Sequence, residues 1–317
     1  MTPLIDQIAY FALFASGLVC LIKGSDYVTV YASKLAKHCG ISQLVIGITV
    51  VAMSTSLPEL TVSIFSIAFE SSQIATGTII GSNIANICLI IGLSAAIYPI
   101  KTGRGFAKQG IFTLIFTIAV YAFLLDGMVF YEGAIILAGF LAYMYYLVRM
   151  RRAHGKMKTK KKTNHAGRDN KKTIKYIMAS IAGGVIVVLG AQTLIYSTIS
   201  IATTFGISEL LISLIAIAIG TSLPELAVSF TAALKKLEGI SLGNILGSNV
   251  FNIAILGLVS LFSVIPVTDF LVMVNLPIML ISTVVLLFFI QTRWRITRIN
   301  GIILLLIYAV FLLLQFV

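Results

Sequence analysis

Charge is scarce in this chain. Aspartate, glutamate, lysine and arginine make up 11% of its 317 residues, whereas a soluble domain carries about 25%. That shortfall, with 59% hydrophobic residues and a mean hydropathy of +1.04, excludes a water-soluble globule and puts most of the chain in lipid. Cysteine is nearly absent. Cys20, Cys39 and Cys88 are scattered without paired spacing, which argues against a disulfide framework or zinc site and leaves three small packing residues. A positive n-region is also missing from Met1 to Asp6, so the first hydrophobic stretch is expected to be a retained span.

What is present is a series of apolar runs. A membrane-crossing helix needs about 20 apolar residues. Such runs fall at 7–33, 43–69, 74–98, 110–125, 130–148, 174–202, 209–233, 241–265, 270–291 and 299–316. They predict an all-α integral membrane protein with ten transmembrane helices. Basic residues occupy alternate gaps: Lys34 and Lys37, then Lys101, Arg104 and Lys108, then the run from Arg149 to Lys172. Lys235 and Lys236 follow, and finally Arg293, Arg295 and Arg298. The remaining gaps and both termini hold no lysine or arginine, and around them stand Glu70, Asp126, Glu209 and Asp269. Lys23 and Lys175 are the exceptions, each within a predicted span. Because lysine and arginine are retained on the cytoplasmic side, both termini are expected outside. The net charge of +12 is then topological, and no nucleic-acid partner is implied. Residues 149–173 read as a basic, flexible cytoplasmic connector between the segments 1–148 and 174–317.

The two segments share motifs at one offset. Ser54-Thr55-Ser56-Leu57-Pro58-Glu59-Leu60 aligns with Gly220-Thr221-Ser222-Leu223-Pro224-Glu225-Leu226, 166 positions later. At the same offset Gly81-Ser82-Asn83-Ile84-Ala85-Asn86 aligns with Gly247-Ser248-Asn249-Val250-Phe251-Asn252, and Gly40-Ile41-Ser42 with Gly206-Ile207-Ser208. Five predicted spans separate corresponding elements. An odd number of crossings reverses the second copy, so the plan expected is two inverted five-helix repeats with a substrate site near the midplane.

The chemistry at that midplane is carried by few residues. Proline removes a backbone donor and frees carbonyls of the preceding turn, so Pro58 and Pro224 each predict a broken helix. Such breaks are tolerable in lipid only where they face protein or a hydrated cavity. Thr55, Ser56, Thr221 and Ser222 add hydroxyls beside the breaks. Glu59 and Glu225 are the only acids deep in the predicted spans, and no lysine or arginine lies at matching depth. Burying a lone carboxylate costs at least about 2.5 kcal/mol. Two without a counter-ion therefore ask for a cation or a proton. Oxygen-rich, multidentate surroundings suit calcium, and equally sodium when subdivided; magnesium keeps most of its waters. Gly77, Gly81, Gly243 and Gly247 are expected to permit close helix approach. Ser82 with Asn86, and Ser248 with Asn252, stand at i and i+4 and can present oxygens toward the neighbouring glutamate. Asp26, with Lys23 nearby, reads as a local or interfacial contact outside the site.

At these residues the chain resembles the calcium/cation antiporter superfamily, in its sodium/calcium exchanger branch and short prokaryotic form. The Thr-Ser-Leu-Pro-Glu and Gly-Ser-Asn-x-x-Asn pairs look like that family's two alpha-repeats. The resemblance implies four cation sites in a diamond between the second, third, seventh and eighth spans. Glu59, Glu225, Asn86 and Asn252 would form the central group. Thr55, Ser56, Thr221 and Ser222 would give hydroxyl or carbonyl oxygens, Ser82 and Ser248 hydroxyls. Backbone carbonyls of Ala52 and Ala218 would flank sodium sites. It further implies alternating access by sliding of the first and sixth spans, with Ca2+ and Na+ as substrates, no cofactor, and a cell-membrane location. A monomer suffices for this plan. Two departures stand out: Ser54 replaces the glycine found at 220, and Asn252 occupies a position that is Asp in some relatives. Two formal negative charges neutralise one calcium or two sodium ions, which leaves the ion ratio open.

Three rival readings remain at this stage. A calcium/proton exchanger could use the same glutamates as proton carriers. An intramembrane enzyme could use the two acids, although no His, Cys or Asp lies at their depth and paired hydroxyls suit ligation better than acid–base work. A passive channel fits a closed site between inverted repeats poorly.

Overall fold

The computed structural model describes residues 4–68, 72–159, 170–204, 222–266 and 268–315. The first helix, α1 (Leu4–Cys39), ends at Gly40, whose φ of +63° suits glycine because it has no Cβ to clash. Ser42 then caps α2 (Gln43–Ile46), accepting a hydrogen bond from the Val45 N–H at 3.3 Å. A π-helical turn (Gly47–Val51) leads into α3 (Ala52–Thr55), and α4 (Leu57–Ala68) follows after the break at Ser56. Next come α5 (Ser72–Ala85), a second π turn (Asn86–Ile91) and α6 (Gly92–Ile97), which form one continuous helical rod. The chain continues through α7 (Arg104–Phe123), α8 (Phe130–Thr159), α9 (Asn170–Thr204), α10 (Leu223–Leu234) and α11 (Glu238–Ser260). A third π turn (Leu271–Asn275) opens α12 (Leu276–Gln291), and α13 (Arg298–Leu314) starts at a capping box between Thr297 and Asn300.

Among the described residues seven helices are long and apolar enough to cross a membrane. The pair Gln43–Thr55 and Leu57–Ile64, bent by 45°, makes an eighth if taken as one broken span. Helix α8 runs past the end of its predicted apolar run to Thr159, because lysine, arginine and methionine are good helix formers. The expected flexible connector therefore begins as helix.

Burial is inverted relative to a soluble protein. In α11 the most apolar window is 89% buried, and in the rod Ala75–Ile97 it is 78%, against 22% for α1. Yet these two central elements carry Ser82, Asn83, Asn86, Asn244, Ser248, Asn249 and Asn252, all buried. Large apolar side chains such as Phe11, Ile115, Leu141, Phe288 and Leu313 point outward. Lipid takes the role that the core has in water, and polar groups collect inside, where they find partners.

Two short pairings tie the loops. Ile100–Lys101 runs antiparallel to Arg295–Ile296, with Ile100 opposite Ile296 and Lys101 opposite Arg295. Met128 bridges Ile265. The two loops in the first pairing are basic, and the second joins loops bearing Asp126 and Asp269. Asp26 does not pair with Lys23. Its carboxylate meets Lys235 at 2.9 Å, where Ser25 and Thr231 also lie within hydrogen-bond distance at 3.0 Å, so α1 is fastened to the end of α10.

Candidate cation site

At both Ser-Leu-Pro-Glu motifs the helix that carries the glutamate starts in the same way. Ser56 has φ, ψ of −85°, 19° and Ser222, 166 residues on, has −88°, 0°. These values lie in the bridge region, which ends one helical segment and aims the next. The following prolines sit in the first turn of α4 and α10, where the missing N–H costs nothing. Glu59 and Glu225 thus fall in the first turn of their half-helices, where the positive end of the helix dipole favours a carboxylate. Both are fully buried.

The close approach of α11 brings the second Gly-Ser-Asn motif up to the first break. A Cβ on Gly247 would stand 2.5 Å from the Ile48 carbonyl oxygen, and one on Gly243 2.7 Å from that of Leu44. Only glycine admits this contact. The segment that the repeat sets opposite Gly77 and Gly81 lies outside the described residues.

Around the breaks the two copies interdigitate. Ser82 donates to Glu59 Oε1 at 2.9 Å, and its hydroxyl lies 3.1 Å from that of Ser222. Ser56 donates to Glu225 Oε1 at 2.8 Å and lies 3.0 Å from the Ser248 hydroxyl, which is itself 3.4 Å from the same carboxylate oxygen. The Thr55 hydroxyl contacts Asn244 Oδ1 at 3.0 Å and the Ala52 carbonyl at 3.2 Å, while Asn244 donates to Ser229 at 2.9 Å. The Ala52 carbonyl also accepts the Ser56 N–H at 3.0 Å. Ala218 and Thr221 lie outside the described residues.

Asn86 and Asn252 are buried at the centre, but neither bonds to a glutamate. Asn86 Nδ2 donates to Asn249 Oδ1 at 2.9 Å and Asn252 Nδ2 to Asn83 Oδ1 at 3.1 Å. Their own carbonyl oxygens, Asn86 Oδ1 and Asn252 Oδ1, are buried without a partner among the described residues, as are Glu59 Oε2 and Glu225 Oε2. Buried polar atoms are normally satisfied. Here four acceptors from matched positions are left over, and among the described residues no lysine or arginine is buried to meet them. No three acids, histidines or cysteines cluster among the described residues, so any cation here is held by two carboxylates with neutral amide and hydroxyl oxygens. Such a donor set fits hard cations, whose ligands are oxygens.

Sequence reasoning missed Asn83, Asn249, Asn244 and Ser229. Asn244 could have been found, since 244, 248 and 252 fall at i, i+4 and i+8 on one helical face. Asn83 and Asn249 lie off that face, and although the 166-residue offset pairs them, helical spacing gave their side chains no role.

Comparison with known proteins points to one family. The family profile described as sodium/calcium exchanger protein matches residues 9–149 and 175–317. The sodium/calcium exchanger MaX1 of Methanosarcina acetivorans is 34% identical, over 96% of this chain and 98% of that protein. An uncharacterized membrane protein of Methanocaldococcus jannaschii is 33% identical over 97% of each. Among solved structures, the sodium-calcium exchanger NCX_Mj soaked with 10 mM Na+ and zero Ca2+ superposes with a TM-score of 0.85. It is 32% identical over 96% of this chain and 98% of its own. With both halves of the chain matched and the relatives covered almost end to end, this protein belongs to the sodium/calcium exchanger family.

Proposed function

We propose that this chain is a secondary antiporter that exchanges Na+ for Ca2+ at the site between its two broken helices, and that it is not an enzyme. The observation that carries the reading is the set of four unpartnered buried oxygens, Glu59 Oε2, Glu225 Oε2, Asn86 Oδ1 and Asn252 Oδ1. Their two formal charges balance one Ca2+ or two Na+. A third Na+ would be held with excess positive charge.

Around this site the chain crosses the membrane ten times, in inverted repeats at 1–148 and 174–317 joined by the basic connector 149–173. The matched backbone at Ser56 and Ser222 supports the repeat. Pairing of the two basic loops by Lys101 and Arg295, and of the Asp126 and Asp269 loops by Met128 and Ile265, supports grouping them on opposite faces, the basic one cytoplasmic. Both termini are then outside a cell membrane. Alternating access carries the ions past the site, with a monomer as the working unit. Thr55, Thr221, Ser56, Ser222, Ser82 and Ser248 supply further oxygens, and the carbonyls of Ala52 and Ala218 flank the sodium positions.

The test is calcium uptake into proteoliposomes driven by an outward sodium gradient. Uptake that requires the gradient supports exchange. Uptake that ignores sodium and follows an imposed pH gradient would instead assign the glutamates to calcium/proton exchange.

A further inference from the structure

Four asparagines lock together where the rod Ala75–Ile97 crosses α11, and among the described residues only two of them keep a side-chain oxygen without a partner. Asn83 Nδ2 donates to the Asn249 backbone carbonyl at 3.4 Å, and Asn249 Nδ2 returns the bond to the Asn83 carbonyl at 3.3 Å. Asn83 Oδ1 receives the amide of Asn252, and Asn249 Oδ1 that of Asn86. All four side chains are buried.

The direction of each bond is fixed by elementary donor counting. A backbone carbonyl only accepts, so the side chains of Asn83 and Asn249 must each turn an N–H2 toward it. Their oxygens then face Asn252 and Asn86, which must answer with N–H2 groups. This leaves Asn86 Oδ1 and Asn252 Oδ1 with no choice but to point away, and these are the two amide oxygens without a partner. The pattern crosses between the copies: Asn83 serves Asn252, 169 residues away, and Asn249 serves Asn86, 163 residues away.

We infer that Asn83 and Asn249 are positioning residues for cation binding, each holding the amide of the opposite copy so that its oxygen faces the ion. The inference rests on the exchanger reading above. It has a further consequence for charge selection. An ionised carboxylate at 86 or 252 would set one of its oxygens against an acceptor at about the distance now spanned by a hydrogen bond. The clasp therefore matches neutral amides at both positions and holds the site at two negative charges.

The crossing makes the test specific. Calcium half-saturation and maximal rate are measured for Asn83→Ala, Asn252→Ala, Asn86→Ala and the doubles, with melting temperature as a folding control. Each single change is expected to raise half-saturation about tenfold with a smaller effect on maximal rate, the scale of one lost hydrogen-bonded ligand. Asn83→Ala should add nothing to Asn252→Ala, yet worsen Asn86→Ala as much as Asn252→Ala does, since residues acting through one another are non-additive. A purely structural Asn83 would worsen both backgrounds alike, and that result, or unchanged half-saturation in Asn83→Ala, overturns the inference. Should an alanine variant fail to fold, Asn83→Ser and Asn249→Ser complete the same cycle. If the unmodified protein shows no sodium-driven uptake, the exchanger reading fails by itself. The cycle is then read as calcium affinity by calorimetry.

Discussion

The two halves of the site are built from matching motifs but are not matching half-sites. Among the described residues Glu59 receives one hydroxyl, from Ser82. Glu225 has Ser56 from the other copy at 2.8 Å and Ser248 from its own at 3.4 Å. Asn86 opens a π turn, while Asn252 sits inside the unbroken α11. An inserted π turn rotates the helix that follows it and is common at functional sites. The difference teaches that duplication sets which donors are available, while packing decides how they are shared. The two carboxylates are therefore inequivalent.

The comparison is tested most severely by removing each charge. Glu59→Gln and Glu225→Gln should both abolish sodium-driven calcium uptake, because either leaves one formal charge for a divalent ion. If one variant kept more than a tenth of the activity, the halves would act independently and a shared site would be refuted.

Next in size is the contact that brings the second copy to the first. Gly247→Ala sets a Cβ 2.5 Å from a backbone oxygen. It should cost about 2 kcal/mol or more, seen as a lower melting temperature in detergent. Gly139→Ala, whose Cβ would meet Phe116 at an ordinary 3.6 Å, is the control and should be near neutral.

The hydroxyls sharpen the inequality itself. Ser56→Ala removes a direct donor to Glu225 and should weaken calcium half-saturation by about tenfold or more, as hydrogen bonds to charged groups contribute about 1.5–3 kcal/mol. Ser222 touches Ser82 instead of a carboxylate, so Ser222→Ala should shift the same constant only about two- to threefold, the scale of a neutral hydrogen bond. Equal effects would show that the asymmetry does not reach the bound ion.

Smallest is the fastening of α1. The side chains of Lys235 and Asp26 are 35% and 47% exposed, and exposed ion pairs contribute about 0–1 kcal/mol. Asp26→Asn should thus lower the melting temperature slightly at low salt and hardly at all at high salt.

Much of this was legible in the chain. Most of each predicted apolar run falls on helix where it is described, because lipid demands internally bonded backbone. Glu59 and Glu225 stood out as acids without counter-ions, and Pro58 and Pro224 as breaks. Ser82 reaches Glu59 as its spacing suggested. The amide nitrogens of Asn86 and Asn252 bond to Asn249 and Asn83, which spacing did not foretell. Helical periodicity gives the face on which a side chain stands, not which of several acceptors on the facing helix it meets. Asp26 makes an interfacial contact outside the site, as expected, but its cation is Lys235, far along the chain, and not Lys23.

What the sequence determined by itself is the solvent and the donor set: a chain too poor in charge for water, two buried acids without a base, and hydroxyls and amides repeated at one offset. These follow from composition and spacing, which no packing can alter. Only the tertiary structure decided that Ser56 serves the opposite carboxylate and that Asn83 and Asn249 turn the opposite amides. The physical reason lies in reach. Those bonds join residues 163 to 169 positions apart, and they form only because glycine at 243 and 247 lets α11 lie against the backbone of the first break.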